Sequence, residues 1–158
     1  GQIENEHIVF VGEGNNVAVS LALLAANLGA QVTVVSPAGY GLPGSVIEAG
    51  QALSGTIAQA HDVRDAVEGA PVIYTYTWIS MGQEDEADKR RKIFDGYCVD
   101  ENLMALASAD AIVMHCLPAV RGEEITKEVM YSPQSAIWDQ AENRLHAQKA
   151  LMINLLHE

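Results

Sequence analysis

Short runs rich in β-branched residues alternate along the chain with stretches whose apolar positions recur at helical spacing, the signature of βαβ units on a parallel sheet. Five runs read as strands: HIVFVGE (7–13), QVTVVS (31–36), TIAQA (56–60), PVIYTYT (71–77) and AIVMHC (111–116). Several are apolar at successive positions, as strands covered on both faces are. SAIWD (135–139) reads as a short sixth. Helices are expected at 15–28, 44–54, 62–68, 83–93, 100–107 and 139–157. Ser45 with Glu48, Ser80 with Gln83 and Asp139 with Glu142 have the spacing of a capping box, in which cap and third residue satisfy each other's free N–H groups.

No internal repeat, low-complexity tract or linker interrupts this alternation. The expectation is one α/β domain over 1–158, a doubly wound, mainly parallel sheet with helices on both faces, Rossmann-like in plan. Ligands of such sheets bind beyond the carboxyl ends of the strands, where loops of neighbouring βα units converge.

Composition narrows the function. At 158 residues, 49% of them apolar, the chain can bury a real core. Nine Lys and Arg against 21 Asp and Glu give a formal charge of −12, the wrong sign for a nucleic-acid binder. No apolar run is long enough to span a membrane and GQIENEH lacks the features of a signal peptide, so the expected location is the cytoplasm. The two cysteines, Cys98 and Cys116, have no metal-ligand spacing, and neither a disulfide framework nor a structural metal is expected.

Four stretches carry candidate chemistry. GEGNNVA after the first strand opens like GxGxxG, but Val17 replaces the third glycine and the second strand ends in Ser36-Pro37 rather than an acid for a ribose. The glycines are equally accounted for by a tight turn; Asn15 and Asn16 favour contact with the ends of an amino acid. HCLP delivers His115 and Cys116 at a strand end, with Pro118 leaving the Leu117 backbone free. Each of the two is also readable as an interior residue, and as strand neighbours they face opposite ways. In the last helix, Arg144 opposes the macrodipole and is a candidate anion ligand, or else a surface partner of Glu142. SMGQ ends the fourth strand, and loop N–H groups around Ser80, Met81 and Gly82 suit a carboxylate, whereas the charges of EDEADKRRK need only a helix-stabilising explanation.

Taken together, GNN (14–16), SMGQE (80–84), HCLPAVRGEE (115–124) and AENR (141–144) resemble, in the same order, the carboxyl-terminal, amino-acid-binding domain of the ornithine carbamoyltransferases. The resemblance implies transfer of a carbamoyl group from carbamoyl phosphate to the side-chain amine of L-ornithine, giving citrulline and phosphate in arginine biosynthesis, with no cofactor and no metal. It implies that Asn16, Ser80 and Met81 hold the amino-acid end of ornithine, that Cys116 and Leu117 lie beside the reacting groups, and that Arg144 serves the carbamoyl phosphate side. Cys116 and Arg144 are thus the implied catalytic residues. It further implies a homotrimer for the full-length protein.

Nothing in the chain resembles the family's amino-terminal carbamoyl-phosphate domain, so the isolated chain is expected to be inactive alone. At Tyr76, four residues before the serine of SMG, the family pattern has an aspartate that meets the amino groups of ornithine. Tyrosine, with an ordinary pKa of about 10, cannot replace that anion at neutral pH. Weakened ornithine binding or an altered amine substrate is the expectation. Two further readings stand beside the leading one: a non-catalytic amino-acid-binding or interaction module, and a nicotinamide-dependent domain built on GEGNNV.

Overall fold

The computed structural model describes residues 3–156. Its centre is a five-stranded sheet of β1 (His7–Val11), β2 (Gln31–Val35), β3 (Thr56–Ala60), β4 (Val72–Thr75) and β5 (Ile112–His115), in spatial order β3-β2-β1-β4-β5. Every pairing is parallel. All five strands fall inside the predicted runs. The order reverses between β1 and β4, so the loops that follow these two strands diverge and leave a crevice.

Side-chain alternation builds two cores from one sheet. Ile8 and Phe10 of β1 join Val32, Val34 and Tyr74 beneath α1 (Asn16–Asn27) and α2 (Gly44–Gly50). Val9 and Val11 instead join Ile73 and Val113 beneath α3 (Val63–Val67), α5 (Glu101–Met104) and α6 (Lys127–Met130). The expectation of helices on both faces is met. A 3₁₀ turn, Glu84–Glu86, leads into α4 (Ala87–Ile93), and α7 (Ile137–Leu156) ends the described chain.

Local departures from the predicted pattern have identifiable causes. The sixth strand does not form: Ser135 makes one parallel bridge to Val113, and the chain turns helical at Ile137, whose side chain is wholly buried. The proposed Asp139–Glu142 cap therefore lies inside α7, where Asp139 is a first-turn acid favoured by the dipole. Ser45 likewise falls within α2, which starts after Pro43 without a side-chain cap. Half of the Ser80–Gln83 box exists, the Ser80 amide donating to Gln83 Oε1 at 3.0 Å, but it closes a turn and not a helix. Gly82 takes φ +86 within that turn, whose ends are joined by the Gln83 N–H and Ser80 carbonyl.

Candidate functional site

The crevice at the switch point is a cleft of about 420 Å³ beyond the carboxyl ends of β1, β4 and β5. Asn16 reaches it from the first loop, Tyr76, Ser80 and Met81 from the second, and Pro118 and Val120 from the third. Thr77 and Ile79 complete the wall. Four predicted site residues, Asn16, Tyr76, Ser80 and Met81, are thus brought together.

The two asparagines divide the work. Asn15 caps α1, its Oδ1 accepting from the amides of Val17 and Ala18 at 3.0 and 3.1 Å. Asn16, exposed, is left for the cleft. In the second loop the Met81 amide and the Ser80 hydroxyl have no partner among the described residues, and the Met81 side chain is 97% exposed. Free donors thus line one part of the cleft, as a carboxylate requires.

Cys116, Leu117 and Arg144 are not in this wall. Cys116 is partly buried on the α1 side of the sheet, in the same apolar cluster as Tyr74. Burial pushes its thiol up, while the Tyr74 hydroxyl and the Arg144 charge pull the other way. Arg144 is exposed and takes no carboxylate among the described residues; Glu142 instead lies 3.6 Å from His146. The positive charge of Arg144 is felt at Cys116, where it favours the thiolate.

His115 and Cys116 are no catalytic pair. His115 is fully buried, with Nδ1 accepting from the Leu117 amide at 2.8 Å and Nε2 lying 3.1 Å from Glu124 Oε1. Since Nδ1 accepts, these bonds assign the proton to Nε2, which donates to Glu124. The same Glu124 oxygen accepts from the Val120 amide at 2.7 Å. His115 and Glu124 therefore hold the third loop, in which Leu117 has φ +57 and the Leu117–Pro118 bond is cis. Gln140 of α7 anchors the same strand end, accepting from the His115 amide at 3.1 Å and donating to the Tyr74 hydroxyl at 2.8 Å.

Sequence reasoning missed Arg90. Its guanidinium, on the buried face of α4, donates to Glu13 in the first loop and to the Trp78 carbonyl in the second, and lies over the rings of Tyr40 and Phe94 at 5.3 and 5.4 Å. It clamps two loops of the cleft. The neighbouring Arg91 ties α4 to the third loop through Glu123 at 2.9 Å. A signal existed: Arg90 follows Ala87 by three residues and precedes Phe94 by four, which puts it on the inward stripe of an otherwise charged helix.

The glycine turn GEGNN has no room for a dinucleotide. A Cβ on Gly14 would meet the backbone of Gly41 at 2.3 Å, and the Gly14 amide already donates to Tyr40 at 2.7 Å. The segment after β2 therefore occupies the approach to the helix start where a pyrophosphate would lie, which removes the nicotinamide reading. No group of three or more metal-ligating side chains occurs among the described residues.

Comparison with known proteins identifies the family of the chain. The family described as aspartate/ornithine carbamoyltransferase, Asp/Orn binding domain, matches residues 4–155. The chain is 51% identical to the ornithine carbamoyltransferase of Methanosphaera stadtmanae, with 100% of the chain and 54% of that protein covered. Against the Acidothermus cellulolyticus ornithine carbamoyltransferase it is 52% identical, over 99% of the chain and 51% of the relative. The solved ornithine carbamoyltransferase of Pyrococcus furiosus superposes with a TM-score of 0.91 at 49% identity, over 96% of this chain and 50% of that one. The chain thus spans about half the length of the curated relatives it matches. By sequence and by fold, it belongs to the aspartate/ornithine carbamoyltransferase family as its amino-acid-binding domain.

Proposed function

We propose that this chain is the acceptor-binding half of a carbamoyltransferase that moves the carbamoyl group of carbamoyl phosphate onto the δ-amine of an ornithine skeleton, giving citrulline and phosphate when that skeleton is L-ornithine. The observation that carries the reading is the convergence of Asn16, Ser80 and Met81 on one cleft at the switch point of the sheet. In this reading the Met81 amide, the Ser80 hydroxyl and the Asn16 amide grip the amino-acid end, and Tyr76 walls the cleft beside them.

The reaction joins the neutral amine nitrogen to the carbonyl carbon and breaks the bond from that carbon to the phosphate oxygen. Phosphate leaves with the electron pair, and the amine gives up one proton. Little covalent chemistry is asked of the protein, so rate comes from alignment and from stabilising developing negative charge. Cys116 and Leu117 flank the reacting groups, and Arg144 supplies positive charge on the phosphate side. A protonated Cys116, favoured by burial, presents a weak S–H donor there rather than a second anion.

The other half of the site comes from an amino-terminal carbamoyl-phosphate domain, and the whole protein works as a cytoplasmic homotrimer. The partial coverage of the relatives supports a second domain. Among the described residues no helix is long and apolar enough to cross a membrane. A citrulline assay tests the division of labour. The 158-residue chain alone forms no citrulline, and a longer chain with a carbamoyl-phosphate domain does; robust turnover by the short chain overturns the proposal.

A further inference from the structure

The cleft is lined without a single charged side chain. Around it, the carboxylates of the first and third loops have partners. Glu13 is paired with Arg90, Glu123 with Arg91, and Glu124 takes His115 and the Val120 amide. Glu84, just past the SMG turn, is held below the usual carboxylate range by the amides of Glu84 and Gly82. What remains open is a set of donors, the Met81 N–H, the Ser80 hydroxyl and the Asn16 amide, in a cleft whose lining also includes Tyr76, Pro118 and Val120.

Tyr76 gives that lining its character. Its ring lies 6.3 Å from the His115 ring at 19° between planes, and like Met114 and Cys116 it is partly buried against the core on the α1 side of the sheet. His115 is itself fixed by Glu124 and by the Leu117 amide, so the tyrosine rests on a rigid support. Donors on one side serve a carboxylate. The aromatic and aliphatic wall favours carbon or a neutral amide, and an ammonium set against it would be desolvated with no counter-charge.

We infer that this cleft selects, within the proposed carbamoyl-acceptor role, δ-amino carboxylic acids whose α-position carries no positive charge: an ornithine with its α-nitrogen acylated, or the chain lacking that nitrogen. The inference rests on the acceptor-binding reading and names its substrate class. The carboxylate is gripped by the SMG turn and Asn16, the α-substituent lies on the Tyr76 and Val120 wall, and the δ-amine extends toward Cys116.

The test is a titration of the ¹⁵N-labelled 158-residue chain with L-ornithine, Nα-acetyl-L-ornithine and 5-aminopentanoate, read at the amides of Asn16, Ser80 and Met81. The two ligands without an α-ammonium bind about tenfold more tightly than ornithine, the worth of an unmatched charge-assisted contact. In Tyr76→Asp the order reverses. The comparison on the unaltered chain decides the matter even if that variant fails to fold. Ornithine binding as well as or better than both analogues overturns the inference and leaves the acceptor role standing. No shift with any of the three overturns both.

Discussion

His115 Nε2 lies 3.1 Å from Glu124 Oε1, and both side chains are completely buried beneath the loop that closes the candidate site. The carboxylate accepts from the imidazole and from the Val120 amide through one oxygen, while the imidazole accepts from the Leu117 amide. A histidine and a glutamate nine residues apart thus shape a loop without touching the cleft.

Removing the acceptor strands two donors, the one on His115 fully buried and the one on Val120 partly so. Glu124→Ala leaves the His115 Nε2–H and the Val120 N–H unpaired, so it should destabilise the chain by about 3 kcal/mol, given roughly 1.5 kcal/mol or more for each bond to a charged group. Glu124→Gln keeps an accepting oxygen and should cost less. Urea unfolding gives both values; a Glu124→Ala midpoint equal to that of the unaltered chain would show that the pair does not hold the loop.

Arg90 makes the same kind of contribution between the other two loops. Its side chain is 2% exposed and Glu13 is 21% exposed, so deleting the cation leaves a largely desolvated carboxylate and the bare Trp78 carbonyl. Arg90→Met should cost about 3 kcal/mol, the usual scale for breaking a buried pair from one side. Glu13→Gln added to it should recover part of the loss, and the double-mutant cycle measured by urea unfolding isolates the coupling.

The cysteines give a pH prediction. Burial raises the Cys98 thiol from 9.0 to about 11, with Asp100, Glu124 and Glu101 adding to the effect. The folded state then holds this proton more tightly than the unfolded one. The stability it contributes is complete below the unfolded pKa and is lost as pH rises from 9 through about 11. Cys98→Ala should flatten that part of the stability profile. Alkylation followed by mass spectrometry offers a second measurement. At pH 8 the thiolate fraction of Cys98 should be about a hundredfold below that of a free thiol, and rapid labelling of the folded chain at Cys98 would contradict the burial argument.

The strands were legible because a parallel strand covered on both faces writes itself as a β-branched run, and all five lie within 7–13, 31–36, 56–60, 71–77 and 111–116. Cap positions were less so. Ser45 and Asp139 satisfy a spacing rule that many helix interiors also satisfy, and tertiary burial of Ile137 moved the start of α7 ahead of its expected cap. Ser80 and Met81 could be read because their loop follows a strand end, and Asn16 because it opens the helix after another, whereas Tyr76 stood out only against the aspartate of the family it resembles. Arg90 could not be read from charge, since DKRRK looks like a solvated face until the inward stripe of α4 is drawn.

The last helix carries a prediction about local stability. Only its first turn is tied to the body, through buried Ile137 and the bonds of Gln140, whereas every residue from Ala141 to Leu156 is exposed. Leu151, Met152, Ile153, Leu155 and Leu156 are 54–81% exposed and add nothing to the core. A helix draws most of its stability from packing one face, and this length is close to the limit at which an unsupported helix persists in water. Amides beyond His146 should therefore exchange with solvent far faster than those of β1. Leu155→Lys should leave urea stability within about 0.5 kcal/mol of the unaltered chain, while lowering the binding of an apolar dye to the exposed face. Slow exchange along the distal turns, or a large loss of stability in Leu155→Lys, would mean that the face is covered in solution and that the helix is held by more than its first turn.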